Sequence, residues 1–214
     1  MQEANGSVAV RTPLKIAVFA SGSGSNFQAI VDEVKAGRIK AEVALLVSDR
    51  PSAPVVERAV AAGIPVYTFR AKEYASREEY ERDILRELKL RGVELIVLAG
   101  YMRILTDVMV LAFKGRIINI HPSLLPAFAG IHAVKQALDH GVKVAGVTVH
   151  YVDGGLDTGP IIAQRAVEVL AGDTEQSLSE RIHLVEHVLY PQVISWICEG
   201  RVELDSSGMR VIVR

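Results

Sequence analysis

Apolar positions recur along the first half of the chain with two alternating periods. Five short runs are almost continuously apolar: Lys15–Ala20, Ala41–Ser48, Val66–Phe69, Glu94–Ala99 and Ile117–Ile120. Runs of this length, rich in Val, Ile and Leu, predict strands covered on both faces. Between them the spacing changes to three and four. Phe27, Ile30, Val31 and Val34 predict a helix that starts just after residue 26. Pro54–Ala62 predicts a second helix, ended by Gly63. Ser76–Arg91 predicts a charged third helix, with Ser76 as N-cap and Glu79 three residues on. A short helix over Ile104–Phe113 follows the fourth strand. This alternation predicts an α/β fold: a mostly parallel sheet with helices on both faces.

The second half has a different grain. His132–His140 reads as a helix capped by Gly141, and Lys143–Val152 as a long strand. Alternation puts Val147, Val149 and Tyr151 on one face of that strand and Thr148, His150 and Val152 on the other. Ile161–Leu170 predicts a further strand and Thr174–Glu199 a long helix. Val202–Arg214 predicts a terminal hairpin around Ser207-Gly208. Residues 1–13 are polar and mixed and read as a flexible tail; residues 14–214 read as one domain.

Composition narrows the function classes. Half of the 214 residues are hydrophobic, and the net charge is −1. That balance offers no nucleic-acid surface. The one cysteine, Cys198, can form neither an intramolecular disulfide nor a cysteine-rich zinc site. The sequence shows neither a transmembrane run nor the basic and apolar regions of a signal peptide, so a cytoplasmic location is expected.

The chemistry concentrates where the pattern breaks. Arg116 to Pro126 reads R-I-I-N-I-H-P-S-L-L-P. Asn119 and His121 lie two apart on a strand and therefore share a face. His121 precedes Pro122, which biases its backbone toward extended conformations. A side-chain donor beside an imidazole on constrained backbone suits acid–base work. Asp157, in the glycine-rich D-G-G-L-D-T-G-P loop at 153–160, is the natural carboxylate partner, since it would orient the ring and favour its charged form. Ser123 lacks the glycines of a nucleophile elbow. The set therefore suits direct transfer, in which the substrate brings its own nucleophile and Asn119 and His121 stabilise an oxyanion.

S-G-S-G-S-N at 21–26 lies between a strand and a helix, where backbone N–H groups and the helix dipole favour a phosphate. It has no Walker lysine, and Phe27 stands where a dinucleotide fingerprint needs glycine. A lone phosphate-bearing metabolite fits; an ordinary glycine-rich turn is the other reading. His183-Leu184-Val185-Glu186-His187 matches H-x-x-E-H, a zinc-peptidase pattern. A third ligand could come only from Glu199, Glu203 or Asp205, so polar lining of a pocket is the preferred reading. His140 reads as a helix C-terminal cation. For His150, pocket lining and a satisfied core histidine both stand.

Taken together, these motifs resemble the folate-dependent formyltransferases. The resemblance rests on N-I-H-P-S-L-L-P (119–126), H-Y-V-D-G-G-L-D-T-G-P (150–160), the S-G-S-G-S-N loop, G-Y-M-R-I-L (100–105) and E-H-V-L-Y-P (186–191). It covers essentially the whole chain after residue 13. It implies a mixed, mostly parallel seven-stranded sheet. The implied activity moves a formyl group from 10-formyltetrahydrofolate to the amine of glycinamide ribonucleotide, in purine synthesis. The implied catalytic set is Asn119, His121 and Asp157, with His121 as proton donor and Asp157 raising its pKa. Gly24, Ser25, Asn26, Phe27 and Gln28 would hold the ribonucleotide and its phosphate, with Glu186 and His183 completing that subsite. Arg77, Met102, Arg103, Ile104 and Leu105, together with Asn119 and the loop Asp153, Gly154, Gly155, Leu156 and Asp157, would contact the folate. No metal, nucleic acid or membrane is implied; the chain would be a monomer or homodimer. Arg77 and the folate itself rest on the resemblance alone. One local departure is A-F-A-G after Pro126, where many relatives carry a basic residue or a further proline.

Three rivals share parts of this pattern. A 10-formyltetrahydrofolate hydrolase would use water in place of the amine, but is expected to carry a regulatory domain that 13 leading residues cannot supply. An initiator-tRNA formyltransferase is expected to need a basic C-terminal domain. A non-enzymatic phosphometabolite-binding protein would keep the Gly22–Asn26 loop but would not need the Asn119, His121 and Asp157 set.

Overall fold

The computed structural model describes residues 12–214; residues 1–11 of the expected tail lie outside the described residues. Seven strands form the main sheet: β1 (Leu14–Phe19), β2 (Ala41–Ser48), β3 (Val66–Thr68), β4 (Leu95–Leu98), β5 (Ile117–His121), β6 (Val144–Tyr151) and β7 (Ile161–Glu168). Their spatial order is β3-β2-β1-β4-β5-β6-β7. The pairs from β3 through β5 are parallel, while β5–β6 and β6–β7 are antiparallel. Mixed orientation of this kind is common at one side of an otherwise parallel sheet. The hairpin β8 (Val202–Leu204) and β9 (Val211–Val213) stands apart as expected.

Six α-helices cover the sheet among the described residues: α1 (Ser25–Lys35), α2 (Pro54–Ala62), α3 (Arg77–Leu90), α4 (Asp107–Ala112), α5 (Ala133–Asp139) and α6 (Glu175–Cys198). Alternate residues of β1 divide between two core layers. Ile16, Val18 and Ala20 pack with residues of α1, α2, α5 and α6. Ala17 and Phe19 pack with Tyr80, Ile84 and Leu88 of α3 and Met109 of α4. Each large apolar side chain buried in this way stabilises the fold by about 1.5–3 kcal/mol relative to exposure.

The second layer ends early, and that ending makes room for the site. On β5 the residues that share its face are Ile117, Asn119 and His121; on β6 they are Thr148 and His150. Ile117 still packs against α3 and α4. Beyond it polar side chains replace apolar ones.

One expectation is corrected. The helix after β4 begins at Asp107, not Ile104, because the Thr106 hydroxyl accepts the Val108 N–H and caps it there. A short 3-10 turn at Ala71–Glu73, not signalled by apolar spacing, links β3 to α3. The Ser76 cap is present, with its side chain accepting the Glu79 N–H.

Candidate active site

A cavity of about 870 Å³ lies at the carboxyl ends of β1 and β4 and against the face of β5 and β6 that carries Asn119, His121 and His150. Such sheets bind ligands at this edge. Asn119, His121, Asp157, Gly24, Ser25, Asn26, His183 and Glu186 all line it, as do Met102–Leu105 and Asp153–Leu156. Three expected residues do not. Phe27 is fully buried in the core and Arg77 is exposed at the start of α3, neither in the cavity wall. The Gln28 amide N–H donates to Asp32 and its carbonyl accepts from Arg58, which holds the side chain outside the wall.

β5 presents Asn119 and His121 as its spacing requires. The His121 ring is nearly buried, with Nε2 3.0 Å from the Phe128 carbonyl oxygen. A carbonyl can only accept, so this nitrogen carries a proton. Nδ1 faces Asp157 Oδ2 at 3.4 Å. Asp157 is held by the Gly130 N–H, which donates to Oδ2 at 2.8 Å, and its backbone is left-handed at φ 54°. The loop reaches it by doubling back. Val152 N–H donates to Ile117 at the start of β5, yet five residues later Asp157 meets His121 at its end. Gly159 permits that path, since a Cβ there would lie 1.9 Å from the Tyr151 carbonyl oxygen.

Both readings of His150 hold at once: it lines the cavity and it is a satisfied core histidine. Its Nδ1 lies 2.8 Å from the Tyr151 carbonyl oxygen, so Nδ1 bears the proton. Burial pushes this imidazole below the usual histidine range, in favour of the neutral ring. Nε2 is then an acceptor, and Asn119 Nδ2 donates to it at 3.2 Å. That contact sets which way the Asn119 amide faces. Asp157 Oδ1 lies 3.7 Å from the same Nε2.

At the other end of the cavity, Gly24 caps α1 with φ 75°, and a Cβ there would lie 2.5 Å from Val55 Cγ2. Glycine is required twice over, by conformation and by space. Asn26 donates through Nδ2 to Glu186 Oε2 at 2.8 Å, while its own Oδ1 is buried without a partner. Glu186 is almost fully buried, and desolvation pushes its carboxyl up. An unpartnered acceptor beside a poorly compensated carboxylate calls for a ligand with N–H or O–H donors. The rings of His183 and His187 stack at 6.3 Å. Among the described residues no group of three or more His, Cys, Asp or Glu is placed to hold a metal ion.

The third wall is the segment after β4. Met102, Ile104 and Leu156 are exposed apolar side chains at the cavity mouth, joined by Ile131. Sequence reasoning missed Ile131, Arg58 and Asp49. The Arg58 Nε donates to the Ser23 carbonyl, which puts a cation beside the glycine loop. Asp49 is buried behind Arg103. Neither belongs to a motif.

The formyl transferase family profile matches residues 14–194. A phosphoribosylglycinamide formyltransferase of Bacillus subtilis is 57% identical over 180 residues, covering 84% of this chain and 92% of the relative. The solved structure of glycinamide ribonucleotide transformylase 1 from Symbiobacterium toebii superposes with TM-score 0.91 at 48% identity, covering 94% and 93% of the two chains. A formyltetrahydrofolate deformylase from Pseudomonas syringae shares the fold more distantly, at 26% identity and TM-score 0.87, with 65% of its chain covered. The chain thus belongs to the formyl transferase family.

Proposed function

We propose that the chain transfers the formyl group of 10-formyltetrahydrofolate to the amine of glycinamide ribonucleotide, a step of purine synthesis. The observation that carries this reading is the meeting of three unlike walls in one cavity: the glycine loop with Asn26 and Glu186, the apolar segment Met102–Leu105, and Asn119, His121 and Asp157 between them.

In this reading Gly24, Ser25 and the N-terminus of α1 receive the phosphate, with Arg58 nearby. Asn26 Oδ1 and Glu186 accept hydrogen bonds from the amine end, and His183 borders them. Met102, Ile104, Leu105 and Leu156 supply apolar surface to the folate, while Arg103 and the polar groups of the loop Asp153–Asp157 supply polar contacts. Phe27 adds its backbone N–H in the first turn of α1, whereas the Gln28 N–H is already given to the Gly24 carbonyl. Arg77 would contribute only to the outer end of the folate. The cosubstrates are small molecules, so the reading needs no nucleic acid or membrane. It suits a cytoplasmic monomer or homodimer.

The amine nitrogen attacks the formyl carbon, and the carbonyl electron pair moves to oxygen. Asn119 Nδ2, through the amide hydrogen not given to His150, stabilises that oxyanion, and the His121 ring borders it. The new C–N bond stays as the C–N10 bond breaks. N10 receives a proton through His121, and the amine loses one. Asp157 holds the ring and balances its charge. No covalent enzyme intermediate is needed.

The test measures release of deformylated folate with and without glycinamide ribonucleotide. Release that depends on the ribonucleotide is expected. Equal release without it would replace this reading by the hydrolase, with water as the nucleophile.

A further inference from the structure

Asp49 belongs to none of the motifs, yet it sits where three neighbouring strand ends meet. It follows β2; Ser21 follows β1; Met102 and Arg103 follow β4. These strands are consecutive in the sheet. The Asp49 side chain is 1% exposed. Its Oδ1 accepts the Ser21 hydroxyl proton at 2.5 Å, and its Oδ2 accepts from Arg103 Nε at 2.8 Å. The Ser21 oxygen in turn accepts the Met102 N–H at 2.9 Å. The four residues close a ring: Asp49 to Ser21, Ser21 to Met102, Met102 along the chain to Arg103, and Arg103 back to Asp49.

Each member of the ring has one way to be satisfied. The single Ser21 proton goes to the carboxylate, so its oxygen is free for Met102. The buried carboxylate finds its only countercharge among the described ion pairs in Arg103. That guanidinium uses Nε alone in the ring and still lines the cavity, with its side chain 43% exposed. The far end of the same segment is fastened separately. Buried Glu81 accepts the Thr106 N–H at 2.8 Å and the Thr106 hydroxyl at 2.5 Å. Residues 102–105 therefore hang between two buried carboxylates, and only the Asp49 end reaches a side chain of the cavity.

We propose that Asp49 is a positioning residue for the formyl donor: through Ser21 and Arg103 it holds residues 102–105 in the shape that the folate meets. The inference rests on the assignment of this wall to the folate. It gives Asp49 no contact with either substrate. Its signature is a change in donor affinity with little change in the chemical step.

The test compares wild type, Asp49→Ala and Asp49→Asn, each alone and with Arg103→Met. Asp49→Ala is expected to raise KM for 10-formyltetrahydrofolate about tenfold, with kcat within about threefold and KM for the ribonucleotide within about twofold. Asp49→Asn keeps an acceptor for Arg103 and should recover part of the loss. Because Arg103 is one of the two arms through which Asp49 acts, adding Asp49→Ala to Arg103→Met should raise KM by clearly less than it does in the wild-type background. Amide exchange provides a reading independent of turnover: the Met102 N–H should exchange faster in Asp49→Ala, and the β5 amides should not. Unchanged KM with unchanged Met102 exchange overturns the proposal, as does an equal Asp49→Ala effect in both backgrounds. If Asp49→Ala does not fold, Ser21→Ala carries the test, since it removes the acceptor of Met102 N–H and leaves the ion pair in place. Failure of wild type to bind tetrahydrofolate would defeat the functional reading instead, and Met102 exchange would still decide whether Asp49 holds the segment.

Discussion

The two sides of the sheet furnish the cavity in different ways. Beyond the ends of β1, β2 and β4 the chain contributes connecting segments: a glycine loop, a short apolar stretch, and the buried ring that ties them. From β5 and β6 it contributes side chains of the strands themselves, Asn119, His121 and His150. The parallel side offers backbone N–H groups and rim surfaces, which suit phosphate and flat apolar rings. The antiparallel side offers a few groups fixed by ladder hydrogen bonds at register-defined positions, with Asn119 opposite His150 and His121 opposite Thr148. Recognition tolerates small adjustments, whereas reacting atoms misplaced by about 1 Å can cost on the order of 100-fold in rate. Asn119 and His121 take the necessary stiffness from a strand, and Asp157, though on a loop, is pinned by the Gly130 N–H.

That division can be broken in order of effect. His121→Asn should lower kcat by about 100- to 10,000-fold while ribonucleotide affinity, read by titration calorimetry, stays within about twofold. A matching loss of affinity would show that the two sides are not separable. Asn119→Ala should cost about 100- to 1,000-fold in kcat by removal of one oxyanion donor. On the other side, Gly24→Ala should act in the opposite sense. The left-handed backbone and the clash with Val55 should raise KM for the ribonucleotide by about tenfold or more, with kcat largely kept.

His150 sharpens the comparison through pH. Its folded-state value is held below the ordinary 6.5, so the unfolded chain takes up that proton first as pH falls. The stability it contributes is complete above about pH 6.5 and is lost as pH falls from there toward the folded value. Urea melts from pH 7.5 to 5 should show this decline, and His150→Gln should flatten it. The smallest effect is expected far from the cavity. Ser76→Ala removes the cap of α3 and should cost about 1 kcal/mol in a thermal melt without touching turnover.

Much of this was legible in the sequence for identifiable reasons. Strand and helix periods marked β1 to β5 and α1 to α3, because a strand covered on both faces reads as an unbroken apolar run and a helix that buries one stripe repeats every three or four residues. Asn119 and His121 were legible as a pair because a period of two needs no tertiary information. The reversal at β6 was not, since apolar alternation does not encode strand direction. Ile104 and Leu105 looked helical by spacing, but Thr106 and buried Glu81 hold that stretch as a loop. Phe27 and Gln28 belong to a motif that meets the cavity only through its first residues. Asp49 and His150 gave little or no local signal, because their partners lie 54 and 31 residues away in sequence.

Tyr190 sets a dimension. Its hydroxyl, fully buried, sits 2.8 Å from the Leu98 carbonyl oxygen and 3.1 Å from that of Ile118. Ile118 is the neighbour of Asn119, and Tyr190 lies one helical turn beyond Glu186. One phenol therefore indexes α6 against the strand that carries Asn119 and His121. A slip of that helix by a turn would displace Glu186 by about 5.4 Å. The gap between Glu186 and the Asn119–His121 pair is thus a dimension of the core, as in a gauge block. Loops around the mouth are free to lengthen, shorten or change character without resetting it.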